Sequence, residues 1–412
     1  MQRPSERSCR PSATGCGDGM SIFAGVDPAV QKLVLRASAA WHRLRRPGPE
    51  IDWVVGPAEI AGLVHAISEV LPSAESVLLD GHPFYDHKYD WVAPRARTHL
   101  ARIVRSPWKL GELLNRTSGF VYLGGITFLD TLGDGGEFEF SYLRAHGKRV
   151  VCYFTGNDIR SPRLSAEREA HTGEPNLATY LSETSSLYAS EGYETLKRAI
   201  ARSAEEHANL IFNADAGQVG YLSRPSEAFL YFHPDDEITD DFSRYRAGVT
   251  PVIVHAPSSP IVKGTQLVRA AIAELRAEGY QFEYVELVRQ SHAEVLASLG
   301  RAHIVLNQFY SEVPGVFGVE ALAAGCVVMM RADEVDEPIV AAGSADAWVV
   351  TRHHQVTKHL RALLDNPESW ESQARAGSEW VRKHAAMSIT GKVFRDKLER
   401  LSDDVAERSA GA

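Results

Sequence analysis

Glu312 and Glu320, two carboxylates with seven residues between them, flank Gly315 and Gly318 in the segment 302–330, AHIVLNQFYSEVPGVFGVEALAAGCVVMM. A carboxylate accepts hydrogen bonds from hydroxyls. Glycines let a phosphate come close to the backbone, and the open N–H groups at a helix start attract its charge. The sequence around these residues supplies such a helix. Residues 303–307 are a β-rich apolar run, 316–324 a short helical pattern closed by Gly325, and 326–330 a second apolar run. The fitting chemistry is recognition of a nucleotide-sugar. Its diphosphate would lie on the backbone of Gly315, Val316, Phe317 and Gly318, and its hydroxyls on the two glutamates. An ordinary βαβ unit with two surface glutamates has the same pattern, so this segment alone does not decide.

Residues 250–275, TPVIVHAPSSPIVKGTQLVRAAIAEL, add an apolar strand, a Ser/Pro turn, Lys263-Gly264-Thr265 and an amphipathic helix. Lys263 sits where a loop enters a helix, which suits a phosphate-binding ammonium. This Lys-Gly loop, the later two-glutamate loop and Glu320-Ala321-Leu322-Ala323-Ala324-Gly325 together resemble retaining GT-B glycosyltransferases of the family-4 (group 1) type, whose motif reads EAMA.G. The resemblance covers residues 205–385 well and the N-terminal half only loosely.

It implies a metal-independent hexosyltransferase that needs no cofactor beyond its nucleotide diphosphate-sugar co-substrate. The acceptor would be a polysaccharide, a lipid-linked sugar or a small molecule. Lys263 would bind the diphosphate, Glu320 the ribose hydroxyls and Glu312 the region of the sugar ring, while Val288, Arg289 and Ser291 line the base. The chain departs from the family in two places. The family's Gly-Arg pair before its Lys is replaced by His255-Ala256-Pro257-Ser258, which leaves Arg289 and Arg160 as substitutes for the missing charge. The family's His-Asp is matched only by Asn157-Asp158, in the loop after the apolar run 150–154. Asp158 is the candidate for orienting an acceptor hydroxyl, with Asn157 and Arg160 beside it. The missing Arg also fits a nucleotide-sugar-binding protein without turnover, and a related GT-B epimerase shares the architecture.

Two histidine-bearing stretches are weaker candidates. Asp80-Gly81-His82-Pro83-Phe84-Tyr85-Asp86-His87 follows an apolar run but matches no common zinc spacing, and reads as a loop at the edge of a cleft. His353-His354 lies on a polar stretch and reads as solvated surface.

The net charge of −9, with no basic face to offset it, argues against nucleic acid as a partner. No apolar run reaches membrane-spanning length. Cys9 and Cys16 fall in an Arg/Ser/Pro/Gly-rich tail, and Cys152 and Cys326 in apolar runs far apart. None has metal-ligand spacing, so a reduced, cytoplasmic setting is expected.

At 412 residues the chain suits two domains. Apolar runs at 51–55, 76–79, 103–104, 120–123, 150–154, 210–212 and 228–232 alternate mostly with helical patterns, including 58–70. That alternation implies α/β architecture with parallel sheets. The expected GT-B layout is a disordered tail at 1–26, a Rossmann-like acceptor-side domain at 27–232 and a polar linker at 233–246. A Rossmann-like donor domain at 247–385 follows, then a C-terminal helix at 386–412 returning to the first domain. The opening amphipathic helix, started by Asp27-Pro28, is read as packed on the first domain, with peripheral membrane contact as the alternative.

Overall fold

Two parallel sheets organise the computed structural model, which describes residues 27–410 except positions 46, 47, 83, 84, 86, 97, 130 and 131, with side chains to residue 401. The first sheet contains β1 (Ile51–Gly56), β2 (Ala74–Leu78), β3 (Trp91–Val92), β4 (Thr117–Leu123), β5 (Arg149–Tyr153), β6 (Leu210–Asn213) and β7 (Glu227–Ala228). Their spatial order is β3-β2-β1-β4-β5-β6-β7. The second contains β8 (Val252–His255), β9 (Glu283–Glu286), β10 (Ile304–Leu306), β11 (Val327–Met330) and β12 (Val349–Val350), in the order β12-β11-β10-β8-β9. Parallel strands covered by helices on both faces must be apolar throughout. Accordingly Phe120 to Leu123 and Val327 to Met330 are all buried.

Helix Met387–Ala410 returns to the first sheet, completing the expected α/β layout. Phe394 is fully buried there, its ring centroid 5.1 Å from Phe212 and 5.7 Å from Phe232. Arg395 Nη1 donates to the Val70 carbonyl at 2.7 Å.

Several expected elements are shifted. The helix expected at 58–70 begins at Leu63, because Ala61 and Gly62 turn left-handed (φ 55° and 81°) and the Glu59 carboxylate accepts from Val64 and His65 N–H. The run 103–104 lies inside helix His99–Leu114, which Thr98 caps at Ala101 N–H. Its buried face follows i, i+3, i+4 spacing, with Leu110, Leu113 and Leu114 in the core and Ser106 and Lys109 also buried. The run 228–232 is strand only at its start, and Tyr231 and Phe232 continue as buried residues where the two halves meet. The segment 233–246 is anchored rather than slack. Thr239 N–H donates to Ala323, Arg244 Nη1 to Leu299 and Ala302, and Tyr245 Oη to Gly325, while Phe242 is buried in the second core.

Helix Asp27–Leu44 packs on His99–Leu114 through Leu35 and Ala39, with Ser38 Oγ donating to the Trp108 carbonyl at 2.6 Å. Leu33 and Leu44 remain exposed. No helix among the described residues is long and apolar enough to cross a membrane. The tail 1–26, with Cys9 and Cys16, lies outside the described residues, as do Pro83, Phe84 and Asp86 of the Asp80-to-His87 stretch. Cys152 and Cys326 are buried free thiols.

Candidate active site

The loop after β8 forms one turn, Pro260–Lys263, and then reverses at left-handed Gly264 (φ 78°) into helix Thr265–Ala277. Lys263 Nζ donates to Gln308 Oε1 at 2.6 Å. Gln308 is buried at the end of β10, and its Nε2 donates to the Val313 carbonyl at 2.7 Å. One neutral amide thus ties Lys263 to the loop that opens helix Gly315–Ala323. Among the described residues no carboxylate pairs with Lys263, and burial alone lowers its pKa to about 8. Pro314, at the N-cap of this helix, offers no side chain to cap it. Gly315 is left-handed (φ 69°), and its N–H donates to Tyr231 Oη at 2.9 Å. Gly318 serves close packing, since a Cβ there would meet Asn307 Nδ2 at 2.6 Å. Val316 and Phe317 are half-buried in the same first turn.

His255 explains the departure from the Gly-Arg pattern. Its ring is fully buried, with Nδ1 2.6 Å from the Leu306 carbonyl and Nε2 2.9 Å from Thr265 Oγ1. Nδ1 therefore carries the proton and Nε2 accepts from the hydroxyl. Burial lowers the pKa to about 4 and keeps the ring neutral, so it acts as a strut between β10 and helix Thr265–Ala277.

The two glutamates occupy different surroundings. Glu320 Oε1 pairs with His292 Nε2 at 2.7 Å, and this bond raises the His292 pKa. The Tyr85 ring of the first half lies 4.9 Å from the His292 ring, so Tyr85 of the Asp80-to-His87 stretch reaches the second half. A groove of about 700 Å³ runs from Glu320 past His233 and Glu237 toward Arg244 and Arg246. Glu312 is 2% exposed and pairs with Arg331 Nη2 at 3.3 Å. Burial raises its pKa against the opposing charges of Arg331, Arg160 and Arg168.

Val288, Arg289 and Ser291 form the exposed loop leading to helix His292–Leu299, with Arg289 left-handed (φ 58°). Ser291 caps that helix. Its Oγ accepts from Glu294 N–H, and the Glu294 carboxylate accepts from Ser291 N–H at 2.8 Å. Ser291→Ala should therefore cost about 1 kcal/mol of stability in denaturant titration, with nucleotide affinity unchanged.

In the first half, the loop after β5 holds Asn157, Asp158 and Arg160. Asp158 Oδ2 accepts from Thr155 N–H at 2.5 Å and Thr155 Oγ1 at 3.2 Å, so its carboxylate closes the loop. Arg160 is buried, with Nε donating to the Gly217 carbonyl at 2.9 Å and Nη1 to Asn157 Oδ1. Its charge acts on Glu312 across the cleft. Lys197 completes the cluster, its pKa lowered to about 8 by burial against the opposing effect of Asp158.

Direct contacts bridge the halves. Arg331 Nη1 donates to the Pro175 carbonyl, Arg168 Nη2 pairs with Asp336 at 2.6 Å, and Gly217 N–H donates to Glu337 at 2.6 Å. Arg331 follows β11 directly, at a carboxyl end facing the cleft, and that position was the signal available for it. Gln308, Tyr231 and Lys197 have no comparable sequence signal.

No protein-family model and no curated protein sequence matches the chain. Solved structures do match it. Sucrose-phosphate synthase from Thermosynechococcus elongatus aligns with 86% of this chain and 100% of its own, at TM-score 0.55 and 11% identity. WaaG, a glycosyltransferase involved in lipopolysaccharide biosynthesis, aligns with 83% and 98%, at TM-score 0.53 and 13% identity. An alpha-glucosyltransferase solved with UDP and a 13-mer DNA aligns with 86% and 100%, at TM-score 0.52 and 11% identity. At such identities the likeness is one of fold, and the fold is GT-B.

Proposed function

We propose that this chain is a family-4-type glycosyltransferase that moves a hexose from a nucleoside diphosphate-sugar to an acceptor with retention of configuration, using no metal in the transfer step. The observation that carries this reading is Lys263, a cation held by a neutral amide beside the glycine-led start of helix Gly315–Ala323. A bound diphosphate supplies the missing counter-charge. The same groups stabilise the charge that develops on the leaving diphosphate as the acceptor attacks from the same face. Glu320, freed from His292 or sharing it, accepts from the ribose hydroxyls. Glu312 faces the sugar from among its arginines, and Val288 and Arg289 border the base. Asp158 acts by holding the loop that carries Arg160 and faces Lys197, on the acceptor side. The setting is the cytoplasm, and the acceptor is a polysaccharide, a lipid-linked sugar or a small molecule.

A thermal-shift screen with UDP, GDP, ADP, CDP and dTDP tests this directly, because a ligand of the folded state raises its melting temperature. The reading fails if no nucleotide does so. Glu320→Ala should weaken the stabilising nucleotide by about tenfold, roughly 1.5 kcal/mol, in calorimetry. Unchanged affinity in the folded variant would remove Glu320 from the site.

A second reading, donor binding without turnover, is favoured by the ion-paired burial of Glu312 and by His255 where the family has its Gly-Arg pair. Consumption of a bound donor in the presence of acceptor separates the two.

A further inference from the structure

We propose that Glu174, His353 and His354 form a site for a divalent transition-metal ion, with zinc the best match, that joins the two halves of the molecule. Glu174 follows helix Pro162–Thr172 of the first half. The histidines open the single turn His353–Gln355 after β12 of the second. One ligand atom from each of the three lies within 4.8 Å of the others. His353 Nδ1 and Glu174 Oε2 are 3.4 Å apart. Both atoms are shielded from solvent, and among the described residues neither has a hydrogen-bond partner. Two shielded polar atoms facing each other at that separation are a poor hydrogen bond. Two ligands of a tetrahedral zinc ion, each at about 2.0–2.1 Å from it, are separated by roughly 3.3 Å.

The surroundings agree with this. The other carboxylate oxygen of Glu174 faces Arg352 Nη1 at 3.7 Å, and Arg352 Nη2 lies 3.5 Å from Asp333, so the carboxylate is oriented with one oxygen left for an ion. The His353 ring stacks against Tyr310, with centroids 6.0 Å apart. His354 is exposed and offers an entry path with a position open to water. This revises the reading of His353-His354 as plain solvated surface. A second cluster, Glu137, Glu206 and His207, lacks these features, because His207 Nε2 is already bonded to Glu137 at 2.8 Å.

The test uses the full chain, stripped with a chelator and dialysed, then titrated with Zn²⁺ against a chromophoric competitor. The wild type should bind one zinc ion that His354→Ala and Glu174→Gln each weaken by more than about a hundredfold, beyond the 10–100-fold typical of outer-shell partners. His207→Ala should bind as the wild type does. Zinc should also raise the melting temperature of the wild type but not of His354→Ala, whose exposed side chain is dispensable for folding. Equal zinc affinity in the wild type and His354→Ala, or no competition by the wild type, would overturn the proposal.

Discussion

Lys263→Ala is expected to weaken nucleoside diphosphate binding by about a hundredfold, roughly 3 kcal/mol, while hardly changing affinity for the matching nucleoside. The magnitude is at the upper end for a charge-assisted hydrogen bond, because the ammonium sits in a buried setting with no carboxylate partner among the described residues. Water does little there to screen its attraction to phosphate. Among the described residues its hydrogen-bond partner is the Gln308 amide, which also donates to Val313 and keeps the loop in place when the ammonium is removed. Calorimetry on the folded variant, with nucleoside and nucleoside diphosphate side by side, isolates the phosphate contribution. An equal loss for both ligands would make Lys263 a support of the pocket rather than a phosphate ligand.

Arg331→Ala is expected to destabilise the fold by about 3–5 kcal/mol, the cost of leaving a buried charge without its partner. Arg331 is 3% exposed, and Glu312, its partner at 3.3 Å, is 2% exposed. The guanidinium also reaches Asp336 Oδ2 at 3.8 Å and donates to the carbonyl of Pro175 in the other half. Its removal strands Glu312 and cuts a tie across the cleft. Pairing Arg331→Met with Glu312→Gln removes both charges and should recover part of the loss in denaturant titration. A double variant no more stable than Arg331→Ala would show that the two charges are not coupled.

The sequence was most legible where local chemistry and tertiary role coincide. Apolar stretches such as 120–123, and 304–306 within the run 303–307, are strands because a parallel sheet covered on both faces needs apolar residues at every position. Helix His292–Leu299 and the glycine-led helix Gly315–Ala323 carry their own start signals. The two-residue strand Trp91–Val92 gives no periodicity to read, and the run 103–104 was ambiguous because two apolar residues fit a helix face as well as a strand. In the site, Lys263, Glu312 and Glu320 stand out by residue type and spacing. Gln308 and His292, which pair with Lys263 and Glu320, and Tyr231, which pairs with Gly315, do not, because each is selected by a contact 28 to 84 residues away in sequence. Ser291 and Gly318 show the reverse case. Residue types suited to ligand binding are used there for a helix cap and a close packing contact.

The most direct measurement of the central claim is donor consumption. The purified chain is incubated with UDP-, GDP-, ADP-, CDP- and dTDP-hexoses, with and without a panel of sugar acceptors, and release of the nucleoside diphosphate is followed alongside the anomeric configuration of any product. The account predicts that one donor is consumed by the wild type, that Lys263→Ala and Glu320→Ala consume it far more slowly, and that the glycosidic product keeps the donor's anomeric configuration. A product of inverted configuration, or a donor consumed equally by the wild type and Lys263→Ala, would contradict it.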